Sequence, residues 1–238
     1  IQGSHPGHSG QSLLEYLLQE QAVVPPHLGV FLAETRRLHP SICKFISGSV
    51  YEDRLDAHDD TAGRTIALPE TPPDLIKVDS GLVFIPVEHT GNTQSSEEEV
   101  EQIVRITDDL LGRIHIDRNG QKSRPLQIDD ILYVAPYNLQ VRLLKSKLPD
   151  EARVASVDKF QGQEAPVVIV SLCSSAGDFG ARGVDFVLNR NRLNVAISRA
   201  QSLAIVVGDP AIASMPASSA RELEAINLFC RIVHDSCQ

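Results

Sequence analysis

The densest set of side chains that could bind a ligand lies between residues 156 and 164, which read Ser-Val-Asp-Lys-Phe-Gln-Gly-Gln-Glu. Ser156 follows one apolar run, Glu164 precedes another, and Gly162 lies in the polar turn between them. Strand ends of this kind present hydroxyl, amide and carboxylate groups at the edge of a sheet, where open α/β folds bind ligands. A hydrogen-bonded surface turn has the same composition, so these residues alone predict either a ligand-binding turn or a structural one.

Two arginines, Arg192 and Arg199, form a second set within the segment 191–200. Two helical turns separate them, so a helix over this segment would place both guanidinium groups on one face. The forked donors and permanent charge of arginine suit phosphate binding. A solvated helix face is the alternative for the same pattern.

A third charged cluster extends from Glu34 to Ile42 and contains the adjacent pair Arg36 and Arg37. It follows the apolar run Val30–Leu32, which we predict to be a strand. Charged groups are therefore expected at the ends of three predicted strands, a coincidence that favours a shared ligand site.

Six apolar runs predict the strands that must position these groups. Their continuous rather than alternating apolarity is typical of strands covered on both faces, as in a parallel sheet. The runs cover residues 30–32, 82–85, 131–134, 154–157, 167–170 and 203–207.

Helical patterns separate these runs. Ser95 and Ser96 each precede a glutamate by three positions, Glu98 and Glu99, which is the pattern of a capping box at a helix start. Another helix is predicted after Pro136. The alternation of strands and helices predicts an α/β fold with a doubly wound sheet, whose ligands bind at the carboxyl ends of the strands.

Two segments fall outside this alternation. Residues 52–80 are polar and contain prolines, which predicts a surface excursion, and a hydrolytic His/Asp site there is the weaker alternative. Residues 174–186 form a glycine-rich loop after a strand end, either a ligand-facing loop or a plain connection.

Composition limits the function classes. The 238 residues predict one domain over 1–238, and 42% hydrophobic with 22% charged residues is typical of a soluble globular protein. No apolar run approaches the roughly 20 residues of a membrane span, and no signal peptide is legible, so a cytoplasmic protein without membrane contact is expected. The missing initiator methionine suggests an excised fragment. The four scattered cysteines support no metal site.

The net charge of −9 argues against a protein that coats nucleic acid, so any such contact is expected to be local. None of the 15 glycines is followed by lysine, and the chain therefore has no phosphate loop of the type GxxxxGK[ST]. This excludes a self-sufficient P-loop ATPase. Motifs of serine hydrolases, zinc proteases and dinucleotide-binding domains are also missing.

Together the three clusters resemble motifs IV, V and VI of superfamily 1 helicases of the 5′-to-3′ branch, which includes the helicase of nonsense-mediated decay and the Okazaki nuclease-helicase. The similarity extends over about residues 1–210. Residues 2–17 resemble the stretch after motif III, and residues 136–140 resemble the P-Y-x-x-Q element of the family. More narrowly, the sequence of these segments is similar to that of bacterial proteins that fuse a RecB-like nuclease to such a helicase.

The resemblance implies a RecA-like three-layer α/β sandwich that is the second motor domain of a helicase. ATP would bind between it and the first RecA-like domain of the same parent chain, which would carry the phosphate loop and most of the Mg²⁺ ligands. Arg37 matches the motif IV arginine at the γ-phosphate, and Arg199 matches the arginine finger of motif VI. Glu164 matches the motif V carboxylate that touches the nucleotide sugar or the bridging network, with Gly162 giving backbone access. Arg36 stands where the family often has an aromatic residue against the base, and a guanidinium can also stack there.

The resemblance also implies a single-strand track, with DNA expected rather than RNA. Its residues would be Ser156, Tyr137, Asn138 and Gln140, although Tyr137 has a core position as its alternative. Asp158, Gln161 and Arg192 are expected to couple the ATP site to this track. A non-catalytic RecA-like binding or scaffold module is the alternative function for the whole chain.

Overall fold

The computed structural model describes residue 17 and residues 23–70, 75–160 and 162–236. The predicted match of residues 2–17 to the stretch after motif III lies outside these residues except for Leu17. The coupling role of Gln161 also falls outside them.

Ten strands and six α-helices are found in the described residues. The strands are β1 Glu34–Thr35, β2 Asp56–Ala57, β3 Thr65–Ile66, β4 Gly81–Pro86, β5 Ile114–Ile116, β6 Lys122–Pro125, β7 Ile131–Val134, β8 Arg153–Ala155, β9 Ala165–Ser171 and β10 Ala200–Gly208. The helices are α1 Pro40–Val50, α2 Glu97–Leu110, α3 Asn138–Lys147, α4 Val184–Val187, α5 Arg190–Ile197 and α6 Ala220–Asp235.

A five-stranded parallel sheet in the order β4-β10-β9-β7-β8 forms the centre of the molecule. Side chains alternate between its faces: Ala204 and Val206 of β10 pack with α1, α5 and α6. Leu203 and Ile205 point the other way and pack with α2 and α3. This is the predicted three-layer RecA-like fold, in which strands buried on both faces need apolar residues at every position.

The start of α2 confirms the predicted cap in part. Ser96 Oγ accepts a hydrogen bond from the backbone N–H of Glu99, as a capping box requires. The reciprocal bond is different, because the Ser96 N–H donates to the side-chain oxygen of Gln140 on α3. The Glu99 side chain is thereby free to turn into the core.

The prediction of a strand at Val30–Leu32 was wrong. Val30 is 85% exposed and Leu32 79% exposed, and the first strand is instead the polar pair Glu34–Thr35, which pairs with β2. A three-residue apolar run makes a strand only where a neighbouring strand takes up its hydrogen bonds. The run at 154–157 was predicted too long, since β8 ends at Ala155 and Val157 begins a 3-10 turn.

The segment 52–80 is more than a surface excursion. It supplies β2 and β3, and its Ile66 and Ile76 are completely buried. β3 joins an antiparallel hairpin of β5 and β6 to form a second, three-stranded sheet that the sequence did not predict. Polar composition concealed these elements because only a few of their residues face the core.

The segment 174–186 follows β9 as predicted, and most of its second half is helical. A 3-10 turn covers Gly180–Arg182, and α4 begins at Val184. Phe179 is buried and anchors the segment on the sheet. No helix in the described part of the chain is long and apolar enough to cross a membrane.

Candidate functional site

Glu164 is the centre of a cluster of arginine and amide groups. Arg37 Nε donates to Glu164 Oε2 at 2.6 Å, and Gln201 Nε2 donates to Oε1 at 2.8 Å. Arg37 precedes α1, Glu164 immediately precedes β9, and Gln201 is the second residue of β10. Three segments that are far apart in sequence therefore meet at one carboxylate.

This cluster lies at the amino ends of β9 and β10, where Ala165 pairs with Ala200. The expectation of a site at the carboxyl ends of the strands was wrong for these groups. The turn that begins at Ser156 starts from the carboxyl end of β8 and reaches Glu164 at the opposite edge. Ser156 and Glu164, predicted to share one sheet edge, therefore lie at different edges.

Arg199 lies beside Arg37 and Glu164 with its Nε buried and without a hydrogen-bond partner among the described residues. Burial lowers the pKa of Arg199, the charge of Arg37 lowers it further, and Glu164 opposes the shift. Arg37 Nη1 also donates to the carbonyl oxygen of Ser198 at 3.3 Å. A buried N–H donor without an acceptor is costly, so Arg199 is an incompletely paired guanidinium beside Glu164.

Arg64 is a third guanidinium at this site, and the sequence analysis missed it. Its Nη1 donates to the backbone carbonyl of Arg37. Burial lowers the pKa of Arg64, Glu164 raises it, and Arg118 and Arg37 lower it. Arg64 belongs to the segment 52–80, where no motif or spacing marked it, and Gln201 was missed for the same reason.

The charge balance of the cluster favours an anion. Burial alone would raise the pKa of Glu164, but the hydrogen bonds from Arg37 and Gln201 outweigh burial and hold that pKa below its usual value. Glu164 is thus ionised at neutral pH. Three guanidinium groups and one carboxylate leave a net positive charge, which suits a polyphosphate.

Two further predicted nucleotide residues lie around this cluster. Arg36 is exposed and its Nη2 lies 3.6 Å from Glu34 Oε1, with no contact to Glu164 among the described residues. Gly162 is exposed and has a φ of 82°, in the left-handed region that favours glycine. Nothing among the described residues lies within 4 Å of where its Cβ would be, so the backbone there is open to a ligand.

The structure places Tyr137 and Gln140 inside the protein, which corrects their prediction as direct nucleic-acid contacts. Tyr137 is 5% exposed and its hydroxyl donates to the carbonyl oxygen of Phe179 at 3.4 Å. Gln140 is completely buried and donates to Ser96 O and to Ser171 Oγ. Asn138 is exposed as the first residue of α3.

Gln140 belongs to a buried polar network around Glu99. Glu99 Oε2 accepts from Ser171 Oγ at 2.5 Å, Oε1 accepts from the Cys173 N–H at 2.9 Å, and His89 Nε2 lies 3.0 Å from Oε1. The His89 Nδ1 lies 2.8 Å from Ser175 Oγ. The network ties the end of β9 to the loop after β4 and to the start of α2.

Ser156, Asp158 and Arg192 line one cavity at the carboxyl ends of β7 and β8. Arg192 and Arg199 do not share a helix face as predicted, because α5 ends at Ile197 and Arg199 lies beyond it. Arg192 belongs to the carboxyl edge of the sheet and Arg199 to the amino edge. Within the part of the chain that the structure describes, no cluster of three or more His, Cys, Asp or Glu could hold a metal ion.

The parallel five-stranded sheet with helices on both faces has the architecture of a RecA-like, P-loop NTPase-type domain. The chain belongs to the AAA_12 family, described as an AAA domain, whose model matches residues 9–211.

Relatives of known name agree with this assignment. DNA-binding protein SMUBP-2 of Rattus norvegicus is 29% identical over 204 residues, which cover 84% of this chain and 20% of the relative. DNA polymerase alpha-associated DNA helicase A of Schizosaccharomyces pombe is 30% identical over 208 residues, 83% of this chain and 30% of the relative. Putative helicase mov-10-B.1 of Danio rerio is 29% identical over 203 residues, 76% of this chain and 19% of the relative. The domain is therefore of the superfamily 1 helicase type, and it spans less than a third of each of these relatives.

Proposed function

We propose that this chain is the second motor domain of an ATP-dependent helicase or translocase and supplies half of a shared ATP site. The observation that carries the proposal is the cluster of Arg37, Arg64 and Arg199 around Glu164. A cationic site of this kind fits a polyphosphate. The first RecA-like domain of the same parent protein is the proposed partner.

Within such a site each residue has a separate task. Glu164 holds the guanidinium of Arg37 by a charge-assisted hydrogen bond, and Arg64 holds the Arg37 backbone. Arg37 and Arg199 supply permanent positive charge at the phosphates of bound ATP. This charge stabilises the negative charge that develops in phosphoryl transfer. Bound ATP supplies the cleavable phosphoanhydride. Mg²⁺ would be held mainly by the first RecA-like domain, since phosphate-loop domains supply its ligands.

The opposite edge of the sheet is the proposed single-strand track. Ser156 and Asn138 keep their predicted roles there, while Tyr137 and Gln140 position the elements that carry them. Asp158 lies in the 3-10 turn Val157–Phe160, on the stretch that connects the two edges, and this supports its coupling role.

DNA is proposed as the strand, and two relatives named above carry DNA in their names. The relationship to bacterial nuclease-helicase fusions stays a prediction, and the three relatives named above are eukaryotic.

A scaffold module is the alternative, and the same cluster argues against it. A domain that only binds partners gains nothing from three mutually repelling guanidinium groups at one edge. Their repulsion costs stability unless an anion offsets it.

The test is Arg199→Ala in the protein that carries both motor domains. ATP binding should persist, because Arg37 and Arg64 remain, while kcat should fall by about 10³–10⁵ as expected for loss of an arginine finger. Arg105→Ala, at an exposed position on α2, is the matched control and should keep the wild-type kcat. An unchanged kcat for Arg199→Ala would show that Arg199 is a structural residue and the proposal wrong.

A further inference from the structure

Two arginine side chains lie over the ring of Phe186 on α4. The guanidinium carbon of Arg182 lies 4.5 Å from the ring centroid, and that of Arg192 lies 4.2 Å away. Phe186 is itself fixed by the buried ring of Tyr137, with a centroid separation of 5.2 Å. We call Arg182 and Arg192, held on the ring of Phe186, the stacked arginine pair.

The guanidinium N–H groups of the stacked arginine pair have no acceptor among the described residues. Among the described residues, neither guanidinium donates a hydrogen bond or forms an ion pair, although Asp158 lines the same cavity as Arg192 and Asp185 adjoins Phe186. Arg113 shows the contrast, because its guanidinium donates to Asp109 and to the carbonyl oxygen of Ile76.

Stacking on an aromatic ring occupies the face of a guanidinium and leaves its in-plane N–H groups free. The ring also restricts the rotamers of both side chains, so less entropy is lost when a ligand binds. Both guanidinium carbons lie within 4.5 Å of one centroid, so two positive charges are held at a single ring. Two guanidinium groups held this near each other suit neighbouring phosphates of one extended strand.

The stacked arginine pair lies beside the proposed track. Arg192 and Ser156 line one cavity, and Tyr137, which packs on Phe186, directly precedes the exposed Asn138. Hydroxyl, amide and guanidinium donors thus follow one another along the carboxyl edge of the sheet. This edge is opposite to the edge that carries Glu164.

We propose that Arg182 and Arg192, stacked on Phe186, bind two phosphates of a single-stranded nucleic acid. The inference rests on the proposed function and deepens it. Arg192, predicted to couple the two sites, here contacts the strand directly, and Arg182 and Phe186 join the track as residues that no motif had marked.

The experiment measures binding of residues 1–238 to fluorescent oligothymidylate of about 20 nucleotides over a salt series. The Arg182→Gln/Arg192→Gln double variant should bind at least about tenfold more weakly. Its slope of log K against log salt should be shallower by about 1.4, since each lost phosphate contact removes about 0.7 on a single strand. An oligouridylate of the same length tests RNA in parallel.

Two further variants control the measurement. Arg221→Gln removes one exposed arginine on α6 and should leave both affinity and salt slope unchanged. Arg182→Lys/Arg192→Lys keeps the charges and should keep the salt slope while losing affinity, because lysine lacks the planar fork. It also serves if the glutamine double variant does not fold.

The outcomes separate the inference from the function on which it rests. If the wild type binds and the double variants match it in affinity and slope, the stacked arginine pair is structural and the inference is wrong. If the wild type binds neither strand, the proposed track fails together with the inference. Loss of affinity in both double variants, with a reduced slope in the glutamine variant only, supports the inference and the proposed function.

Discussion

At the scale of single residues, the candidate ATP site depends on the geometry of one guanidinium. Arg37 contacts Glu164 through Nε and the Ser198 carbonyl through Nη1, so two of its donors are fixed by the protein and the remaining ones are available. Lysine carries its donors on one compact ammonium group and lacks the planar fork whose separate Nε and Nη1 donors make the two contacts. The site therefore needs arginine at this position rather than positive charge alone.

Arg37→Lys in the protein with both motor domains should lower kcat/KM for ATP by about 10–100-fold, the equivalent of about 1.4–2.8 kcal/mol of transition-state stabilisation. Steady-state ATPase kinetics measure this directly, with Arg105→Lys as the control. Wild-type kcat/KM for Arg37→Lys would mean that the fork of Arg37 is not used.

Some of these residues were predictable and others were not. Arg37, Glu164 and Arg199 belong to short motifs whose resemblance to a helicase family singled them out, and the fold brings Arg37 and Glu164 into contact. Arg64 and Gln201 reach the same site only through tertiary packing. The spacing of residues along the sequence does not predict such a tertiary contact.

At the scale of elements, four of the five strands of the central sheet were predicted from their apolar runs. A strand that is buried on both faces has apolar residues at successive positions, and the sequence shows this directly. β8 is shorter than its run, and Val30–Leu32 is no strand at all. In the small sheet of β3, β5 and β6, Ile66 is buried, β5 is half-buried and residues 123–125 are exposed, so its polar residues gave no such signal.

The network around Glu99 predicts how stability depends on pH. Burial raises the pKa of Glu99, and hydrogen bonds from His89, Ser171 and Cys173 oppose the shift only in part. Burial alone would lower the pKa of His89, but the hydrogen bond and charge of Glu99 outweigh it and raise that pKa. Both groups thus bind protons more tightly in the folded chain than in the unfolded one.

Stability from such groups is complete below their unfolded pKa and is lost as pH rises through the folded pKa. For His89 this loss begins above the ordinary value of 6.5. We expect the free energy of unfolding to fall as the pH rises above the ordinary histidine value of 6.5, and to fall less in His89→Gln. Urea denaturation at several pH values measures it, and the exposed His234→Gln is the control. Parallel pH profiles for wild type and His89→Gln would contradict the assignment.

At the scale of the whole molecule, charge is divided between two edges of one sheet. The chain carries a net charge of −9, yet arginines gather at Glu164 on the amino edge and at Phe186 on the carboxyl edge. The turn from Ser156 to Glu164 connects these edges. A motor needs such a connection, because hydrolysis at one site must change contacts at the other.

The sequence contains no phosphate loop, and we therefore propose that the cluster around Glu164 completes a site whose other half lies on another domain. The most direct test is the ATPase rate of purified residues 1–238, measured alone and in the protein that joins them to the first RecA-like domain, with single-stranded DNA present. We expect no turnover by residues 1–238 alone and DNA-stimulated turnover by the joined protein. Substantial ATP hydrolysis by residues 1–238 alone would contradict it.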